Sequence, residues 1–169
     1  MRRVLIVGCA GAGKTTFALA LAEKTGLPLV HLDQIYWCGQ WERLSREAFD
    51  SALQKELEKP EWIIDGNFDR TLPHRLQYCD TVFFFDLPRR TCLWGITKRV
   101  FQNYGKSRQD MGGNCPERFD RNKWQLYRTV WQFRKKNRQK YNELLKEFPN
   151  VVIFKNRKQA KQYLREVAR

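Results

Sequence analysis

The sequence predicts an α/β fold in which a parallel sheet carries helices on both faces. Short apolar segments rich in Val, Ile and Phe alternate along the chain with longer segments of helical periodicity. Such alternation is typical of a parallel sheet whose strands are connected by helices. With 169 residues, 42% of them hydrophobic, and no internal repeat or linker, the chain is expected to form one domain over residues 1–169.

The first elements follow from local patterns. The strand expected at 3–7 is the apolar run RVLIV, and the helix expected at 14–25 is rich in alanine and stops before Gly26. A short second strand at 29–32 leads into the aromatic segment DQIYWCGQW, 33–41, which we expect to be a loop.

The same alternation continues to the end of the chain. Ser45 is the expected N-cap of a helix whose apolar face is Phe49, Leu53 and Leu57. The run TVFFF is apolar enough for a strand buried on both faces. Together the patterns predict strands at 61–64, 81–85 and 151–154 and helices at 46–59, 89–104, 120–148 and 158–167.

Composition limits the classes of function. Lys and Arg number 32 against 18 Asp and Glu, so the net charge of +14 favours an anionic partner, either a nucleotide or nonspecifically bound nucleic acid. No apolar run approaches the ~18 residues of a membrane span, and the N-terminus lacks the apolar core of a secretory signal. The five cysteines form no C-x-x-C pair, which argues against zinc or a disulfide framework. We therefore expect a cytoplasmic protein without a membrane partner.

The segment GCAGAGKT, residues 8–15, matches G-x-x-x-x-G-K-[ST] between a predicted strand and a predicted helix. Glycines let the backbone turn its N–H groups toward a phosphate, and the helix N-terminus adds positive potential. Lys14 would reach the β- and γ-phosphates, and the Thr15 hydroxyl would bind Mg²⁺. The expected nucleotide-binding residues, with ATP the expected cofactor, are Gly8, Cys9, Ala10, Gly11, Ala12, Gly13, Lys14, Thr15 and Thr16.

Two carboxylates follow predicted strands, where ligands bind in a doubly wound sheet. Asp65, in WIIDGNF, would hold Mg²⁺ beside Thr15, although an Asp at this position can also cap the following turn. Asp33, in HLDQIYW, suits an acceptor hydroxyl, which it would orient and deprotonate. The nearby Trp37 would either stack on an acceptor ring or close a small satellite core.

Basic residues mark two further candidate regions. Arg134 and Arg138 fall in an apolar stripe of the predicted long helix, where they would pair with acidic side chains or, as we favour, contact phosphates. The glycine-punctuated segment 105–119 contains Lys106, Arg108 and Arg118. It is either an ordinary surface loop or a basic lid that excludes water from phosphoryl transfer.

These segments together resemble a known family over nearly the whole chain. GCAGAGKTT, HLDQIYW, WIIDGNF, RLQYCDTVFFFDLPR and SRQDMGGNCPERFD are similar to segments of the small P-loop kinases related to adenylate and shikimate kinases. Within these, the likeness is strongest to bacterial DNA topology modulation proteins (FlaR-like). The resemblance implies a P-loop NTPase fold of three α/β/α layers, with a five-stranded parallel sheet in the order 2-3-1-4-5 and a basic lid.

The resemblance also implies roles for single residues. Arg99 and Arg108 would lie on the lid side near ATP, and Asn156, after the last strand, would lie near the adenine. Where related kinases carry an arginine for a nucleoside monophosphate, this chain has Asp69, and Arg75 is nearby but displaced. Arg75 is thus a candidate acceptor contact, and adenylate is disfavoured as the acceptor.

Two functions are compatible with these observations. The first is an ATP- and Mg²⁺-dependent kinase acting on a small hydroxyl- or phosphate-bearing acceptor, which would be a nucleoside or nucleotide or another metabolite. Its catalytic residues would be Lys14, Asp33, Arg108, Arg134 and Arg138. The alternative is an ATP-linked nucleic-acid-binding or regulatory protein that modulates DNA topology. The net charge favours this alternative, but no base-reading motif supports it.

Overall fold

The computed structural model describes residues 1–167, apart from the side chains of Asn122 and Arg134. Five strands form one sheet: β1 Arg3–Gly8, β2 Leu29–His31, β3 Trp62–Asp65, β4 Thr81–Phe85 and β5 Val151–Phe154. All neighbouring pairs are parallel, and their order is β2-β3-β1-β4-β5. The predicted sheet and its strand order are therefore confirmed.

Helices flank the sheet on both faces, as predicted. They are α1 Lys14–Thr25, α2 Leu32–Tyr36, α3 Arg46–Leu57, α4 Leu72–Leu76, α5 Arg89–Gln102, α6 Arg121–Lys136, α7 Arg138–Leu145 and α8 Arg157–Glu166. Ser45 caps α3 by accepting a hydrogen bond from the Ala48 amide at 3.2 Å. No described helix combines the length and the apolar character needed to cross a membrane.

The three phenylalanines of β4 show how the core is divided between the two faces of the sheet. Successive strand residues point to opposite faces. On one face, Phe83 and Phe85 contact the ring of Phe17 from α1, with centroids 4.9 and 5.4 Å apart. On the other, Phe84 stacks on Tyr141 of α7 at 5.3 Å. Because both faces are covered, β4 is apolar from Val82 to Phe85, as is typical of a central parallel strand.

Two short helices were not predicted: α2 lies in the segment that was expected to be a loop, and α4 lies in a segment for which no element was expected. The aromatic segment that follows β2 forms α2, and the segment after β3 forms α4, which begins with Leu72 and Pro73. Each has five residues, so neither is long enough to display the apolar periodicity that identifies a helix from sequence.

The expected long helix at 120–148 is two helices with a break at Asn137. The Asn137 amide donates to Phe133 O at 2.8 Å and ends α6, while its carbonyl accepts the first bond of α7 from Tyr141 at 2.9 Å. The predicted stripe was Tyr127, Trp131, Arg134, Arg138, Tyr141 and Leu145. Within α6 the stripe is wrong, because this helix buries Val130 and Phe133 and leaves Trp131 exposed, whereas Tyr141 and Leu145 of α7 are buried as predicted.

Candidate functional site

The main cavity opens at the carboxyl ends of the strands and has a volume of about 1090 Å³. Three parts of the chain surround it. We call residues 8–16 with the end of β3 the floor, residues 32–43 the acceptor wall, and residues 105–119 with Arg99 and Lys123 the roof. Sequence-predicted residues that line the cavity are Ala10, Gly11, Ala12, Gly13, Lys14, Thr15, Thr16, Asp33, Trp37, Asp65, Arg99 and Arg108.

The floor is a tight loop between β1 and α1. Gly11 has φ +77°, and a Cβ added there would lie 2.2 Å from the Cys92 carbonyl oxygen, so glycine is required both by conformation and by space. The N-terminus of α1 has no side-chain cap among the described residues, which leaves its N–H groups to the cavity. Lys14 Nζ donates to Cys9 O at 3.1 Å, which holds its ammonium group over the loop.

An arginine that sequence reasoning missed holds the floor loop in place. Arg157, the first residue of α8, donates from Nη2 to Gly11 O at 2.7 Å and from Nε to Ala12 O at 3.2 Å. These bonds fix two peptide groups of the loop. Gly95 of α5 packs so closely that a Cβ there would lie 2.1 Å from Gly11 O. A glycine inside a predicted helix was the available signal for this contact.

Two nucleotide-loop residues lie behind the cavity surface. Gly8 donates its amide to Asn67 Oδ1 at 2.9 Å, and the Cys9 side chain is buried. A hydrogen bond that the Cys9 thiol donates to Cys92, together with burial, raises the pKa of the Cys9 thiol, which opposes formation of a reactive thiolate. Gly8 and Cys9 therefore shape the loop, and neither is among the described residues that line the cavity.

Asp65 and Thr15 meet on the floor. Thr15 Oγ1 donates to Asp65 Oδ2 at 2.7 Å, and His31 Nδ1 lies 3.3 Å from the same oxygen. Asp65 ends β3 beside β1 and β2, so the sheet itself fixes its position. Its second oxygen, Oδ1, is buried and has no hydrogen-bond partner among the described residues. A buried carboxylate oxygen without a partner beside a hydroxyl group suits a hard cation.

Arg75 does not reach the cavity. It is fully buried beneath the loop that follows β3, where it donates to the carbonyl oxygens of Gly66 at 3.0 Å, Phe68 at 3.3 Å and Asn67. Burial lowers the pKa of Arg75 to about 10. The expected acceptor contact of Arg75 is therefore wrong, because its guanidinium binds backbone carbonyl oxygens of the loop and not a ligand in the cavity.

Asp33 lies on the acceptor wall, in the first turn of α2. The residue is half-buried and lines the cavity. Burial raises its pKa above the ordinary aspartate value, and Asp65 and Asp110 act in the same direction against the opposing charge of Arg108. Trp37 lines the cavity and also belongs to an aromatic cluster, with its ring 5.2 Å from Trp41. Its packing against Trp41 agrees with the satellite core, and its contact with an acceptor ring stays a prediction.

The roof is organised around Glu117, which is fully buried. Arg108 Nε lies 3.1 Å and Arg99 Nε 3.3 Å from Glu117 Oε1, and Lys123 Nζ bonds to the other carboxylate oxygen. Burial alone would raise the pKa of Glu117, but the three cations together lower it below its ordinary value. Arg108 also pairs with Asp110 at 2.8 Å. The cluster holds two arginines at the cavity.

The roof touches the acceptor wall through backbone contacts. The Gln40 amide donates to Asn114 O at 2.7 Å, and the Gly112 amide donates to Asp33 O at 3.4 Å. A Cβ on Gly112 would lie 2.0 Å from Trp37 O, so only glycine permits this approach. The described conformation is therefore one in which segment 105–119 crosses the cavity and rests on α2.

Two other predicted residues, Arg138 and Asn156, have surroundings that differ from those expected. Arg138 pairs with Asp86 at 2.9 Å, so the structure favours the acidic partner over the phosphate. Asn156 caps α8 by accepting a hydrogen bond from the Gln159 amide at 3.0 Å, and the adjacent Arg157 lines the cavity. The side chain of Arg134 lies outside the described residues, so its phosphate contact stays a prediction.

Comparisons with known proteins agree with this architecture. A family model described as isopentenyl transferase matches residues 1–72, which include the floor and Asp33. Shikimate kinase from Acinetobacter baumannii, in complex with shikimate, is 18% identical, with 98% of this chain and 92% of that chain covered and a TM-score of 0.58. Shikimate kinase from Bacteroides thetaiotaomicron is 16% identical, with 97% and 94% covered and a TM-score of 0.57. The chain thus has the P-loop α/β fold of these kinases. No curated protein matched the chain.

Proposed function

We propose that the chain is an ATP-dependent phosphotransferase that moves the γ-phosphoryl group of Mg²⁺-ATP to a hydroxyl group of a small acceptor. One observation carries this proposal: a single cavity contains the phosphate loop, the Thr15–Asp65 pair and a second strand-end carboxylate, Asp33, beside Arg108. This combination supplies a place for the donor, the metal, a base and a counter-charge. The likeness to shikimate kinases, which share the fold, supports the same reaction class.

The floor would bind the nucleotide. Free N–H groups at the N-terminus of α1 favour the charged β- and γ-phosphates, and the ammonium of Lys14 lies close enough to neutralise them. Arg157 would keep the loop in this shape before the nucleotide arrives, because its bonds go to loop carbonyls. The nucleotide base would then lie toward Arg157, Ala160, Lys161 and Leu164, which line the same cavity.

Thr15 and Asp65 fit a magnesium site. The unpartnered Asp65 Oδ1 and the Thr15 hydroxyl offer oxygen ligands, and Mg²⁺ is commonly held by one or two protein groups together with substrate phosphates. When bound, Mg²⁺ would stabilise negative charge on the phosphates. His31, 3.3 Å from Asp65 Oδ2, would keep the carboxylate oriented.

Asp33 would orient the acceptor hydroxyl and accept its proton. A carboxylate favours a hydroxyl group over a bare phosphate, and the raised pKa brings Asp33 closer to the range in which a general base is effective. Trp37 and Trp41, which line the same wall, suit an acceptor that carries a flat ring, such as a nucleoside.

Segment 105–119 would act as a lid within one catalytic domain that spans 1–169. Arg99 and Arg108, held by Glu117, would place positive charge where the transferring group develops negative charge. Contact between the roof and α2 would exclude water, which would otherwise compete with the acceptor.

The first test is ATP consumption with Mg²⁺ against a panel of nucleosides, nucleotides and hydroxylated metabolites. With the acceptor that accelerates consumption most, Asp33→Asn is expected to lower kcat by about 10²–10⁴-fold because the base is removed. The affinity for ATP should stay unchanged. Wild-type kcat should rise with pH through the raised pKa of Asp33, since only the ionised form accepts a proton.

Asp50→Asn is the matched control, because Asp50 is an exposed aspartate that pairs with Arg70 away from the cavity. It should leave kcat and the pH profile unchanged. An Asp33→Asn variant with wild-type kcat would contradict the role of Asp33 alone. A panel in which every acceptor leaves ATP consumption at its background rate would contradict the phosphotransferase itself.

A further inference from the structure

Exposed aromatic side chains are concentrated in one part of the surface. Trp94 and Phe101 of α5 are 65% and 68% exposed, and Trp124 and Trp131 of α6 are 71% and 54% exposed. Every exposed aromatic residue among those the structure describes lies between positions 94 and 131. Large rings left in water at such density usually mark an interaction surface.

The four rings belong to one face. Trp94 and Phe101 are seven residues apart and so lie on the same side of α5, as Trp124 and Trp131 do on α6. The two helices are neighbours, because Thr97 Oγ1 lies 2.8 Å from the hydroxyl of Tyr127. We call this surface, with the rings of Tyr104 and Phe119 beyond it, the aromatic-basic face.

Positive charge is concentrated on the same segment. Residues 89–136 contain thirteen Lys and Arg against three Asp and Glu, a net charge of +10 out of +14 for the whole chain. The three acids are occupied: Asp110 pairs with Arg108, Glu117 is buried, and Asp120 caps α6. Of the twelve cations whose side chains the structure describes, nine are exposed, so the face is almost purely cationic.

Rings and cations alternate along each helix. On α5, Arg90, Trp94, Lys98 and Phe101 follow one another at helical spacing, as do Arg121, Trp124, Arg128, Trp131 and Lys135 on α6. The guanidinium of Arg89 also lies 4.2 Å above the ring of Trp131. Trp94, Trp124 and Trp131 therefore each lie between two positive charges, and Phe101 follows Lys98.

This alternation distinguishes the possible partners. A second copy of the chain would place its own segment of net charge +10 against this one, and the two segments would repel each other. A membrane-bound helix separates its apolar and basic residues onto different sides, whereas insertion of these rings would carry the intervening cations into the lipid. A single nucleic acid strand presents a flat base and a phosphate in every unit, which matches a row of rings and cations.

We propose that the aromatic-basic face binds single-stranded nucleic acid, with bases stacked on Trp94, Phe101, Trp124 and Trp131 and phosphates on the intervening cations. The stacking accepts any base, so binding is expected to be independent of sequence. This site is separate from the floor and does not depend on the phosphotransferase proposed above.

The test is fluorescence anisotropy of a labelled 20-nucleotide oligothymidylate, with 20-base-pair duplex DNA compared at the same salt concentration. Trp94→Ala and Trp124→Ala should each weaken the Kd for the single strand by a factor of about 5 to 150, the usual contribution of one stacked base. Leu19→Ala is the control, because Leu19 is an exposed apolar residue of α1. It should bind like wild type.

Two further variants separate stacking from fold and charge. Trp124→Phe retains a ring and should keep most of the affinity for the single strand. If Trp124→Ala and Trp124→Phe both lose this affinity and both have a lowered melting temperature, the role of Trp124 is structural and the proposal is contradicted. Arg128→Gln should reduce the slope of log K against log salt by about one. Lys55→Gln, on the exposed side of α3, is the control and should leave the slope nearly unchanged. An equal reduction in both variants would show that charge acts without a defined site.

Several outcomes would overturn the inference. Duplex bound as tightly as the single strand would indicate attraction by charge alone, because paired bases cannot stack on the rings. Wild-type affinity in both Trp→Ala variants would place the nucleic acid elsewhere. If the protein sediments with phosphatidylserine vesicles and oligothymidylate does not release it, the partner of the face is a lipid surface. If the protein forms a dimer that Trp124→Ala abolishes, the partner is a second copy of the chain.

Discussion

The floor and the roof of the cavity are held in place by different forces. The floor joins the ends of buried strands: Val4–Val7 of β1 are fully buried, and Asp65 is the last residue of β3. The roof has no strand beneath it among the described residues and is held by charges around Glu117 and by backbone contacts to α2.

The difference indicates which part can change shape. Moving the floor would break the apolar packing of the sheet, so the Thr15–Asp65 geometry exists before any ligand binds. Detaching the roof breaks a few hydrogen bonds and exposes ions that water can solvate. Its free-energy cost is therefore lower than the cost of moving the floor. A rigid phosphate site below a detachable roof is the arrangement that a lid mechanism needs.

Among the changes that compare the floor with the roof, the largest effect is expected from Asp65→Asn on the floor. The change keeps the shape of the side chain but removes the charge that would hold the metal, so kcat should fall by about 10²–10³-fold. Because the roof does not depend on Asp65, hydrogen exchange at the Gln40 and Gly112 amides should stay as in wild type. Steady-state kinetics over a range of Mg²⁺ concentrations and amide exchange by NMR provide the two measurements.

Asp86→Asn is the matched control for this variant. Asp86 also follows a strand, β4, but pairs with Lys155 at 2.7 Å and Arg138 at 2.9 Å. It should lower the melting temperature while kcat changes by less than about tenfold, because its partners are structural. Equal losses of kcat in both variants would show that Asp65 has no special role at the floor.

A smaller and more local effect is expected from Glu117→Gln in the roof. Loss of the buried carboxylate leaves Arg99, Arg108 and Lys123 without their common partner, at a cost of about 3–5 kcal/mol. The roof should detach before the sheet unfolds. Faster amide exchange at Gln40 and Gly112 and faster tryptic cleavage after Lys106 would report this, while exchange in β1 stays slow.

The same cluster gives the roof a pH dependence. The folded-state pKa of Glu117 is lowered, so its stabilisation is complete above the ordinary glutamate pKa and is lost as the pH falls through the lowered value. Glu117→Gln should abolish this acid-dependent step. Glu61→Gln, which breaks an exposed pair with Arg2, serves as the control and should leave it intact. Parallel acceleration of exchange in β1 and in the roof would mean that the two regions unfold together.

The floor was predictable from sequence and the roof only partly. A phosphate loop has a fixed spacing, and Asp65 follows an apolar strand, so pattern and topology together brought Thr15 and Asp65 to one edge of the sheet. Most element bounds followed from apolar periodicity, which depends on neighbours in sequence, whereas the order of the strands was expected only from the family resemblance.

The missed contacts depend on distant residues. Glu117 organises Arg99 and Lys123, and Arg157 holds the loop from more than 140 positions away in sequence. Nothing in the local pattern around them distinguishes these side chains from solvated charges. The break at Asn137 was missed for a related reason, since asparagine only weakly disfavours a helix and tertiary packing determines where the turn occurs.

The smallest effect is expected from Gly112→Ala, which separates roof from wall without removing a charge. The new Cβ would lie 2.0 Å from Trp37 O and 2.4 Å from Gln34 O. Both atoms are backbone and cannot rotate away, so the roof must lift at a cost of about 1–3 kcal/mol. The Gln40 amide should exchange faster, and ATP hydrolysis without acceptor should increase relative to transfer because water enters.

Asn114→Ala is the control for this last variant. Asn114 is exposed in the same segment, and its contact with Gln40 is made by its backbone carbonyl, which the substitution leaves in place. Gln40 should therefore exchange in Asn114→Ala as it does in wild type. If the two variants exchange alike, the close approach at Gly112 does not hold the roof. The Glu117 cluster would then hold it without help from the wall, and the contrast between floor and roof would rest on charge alone.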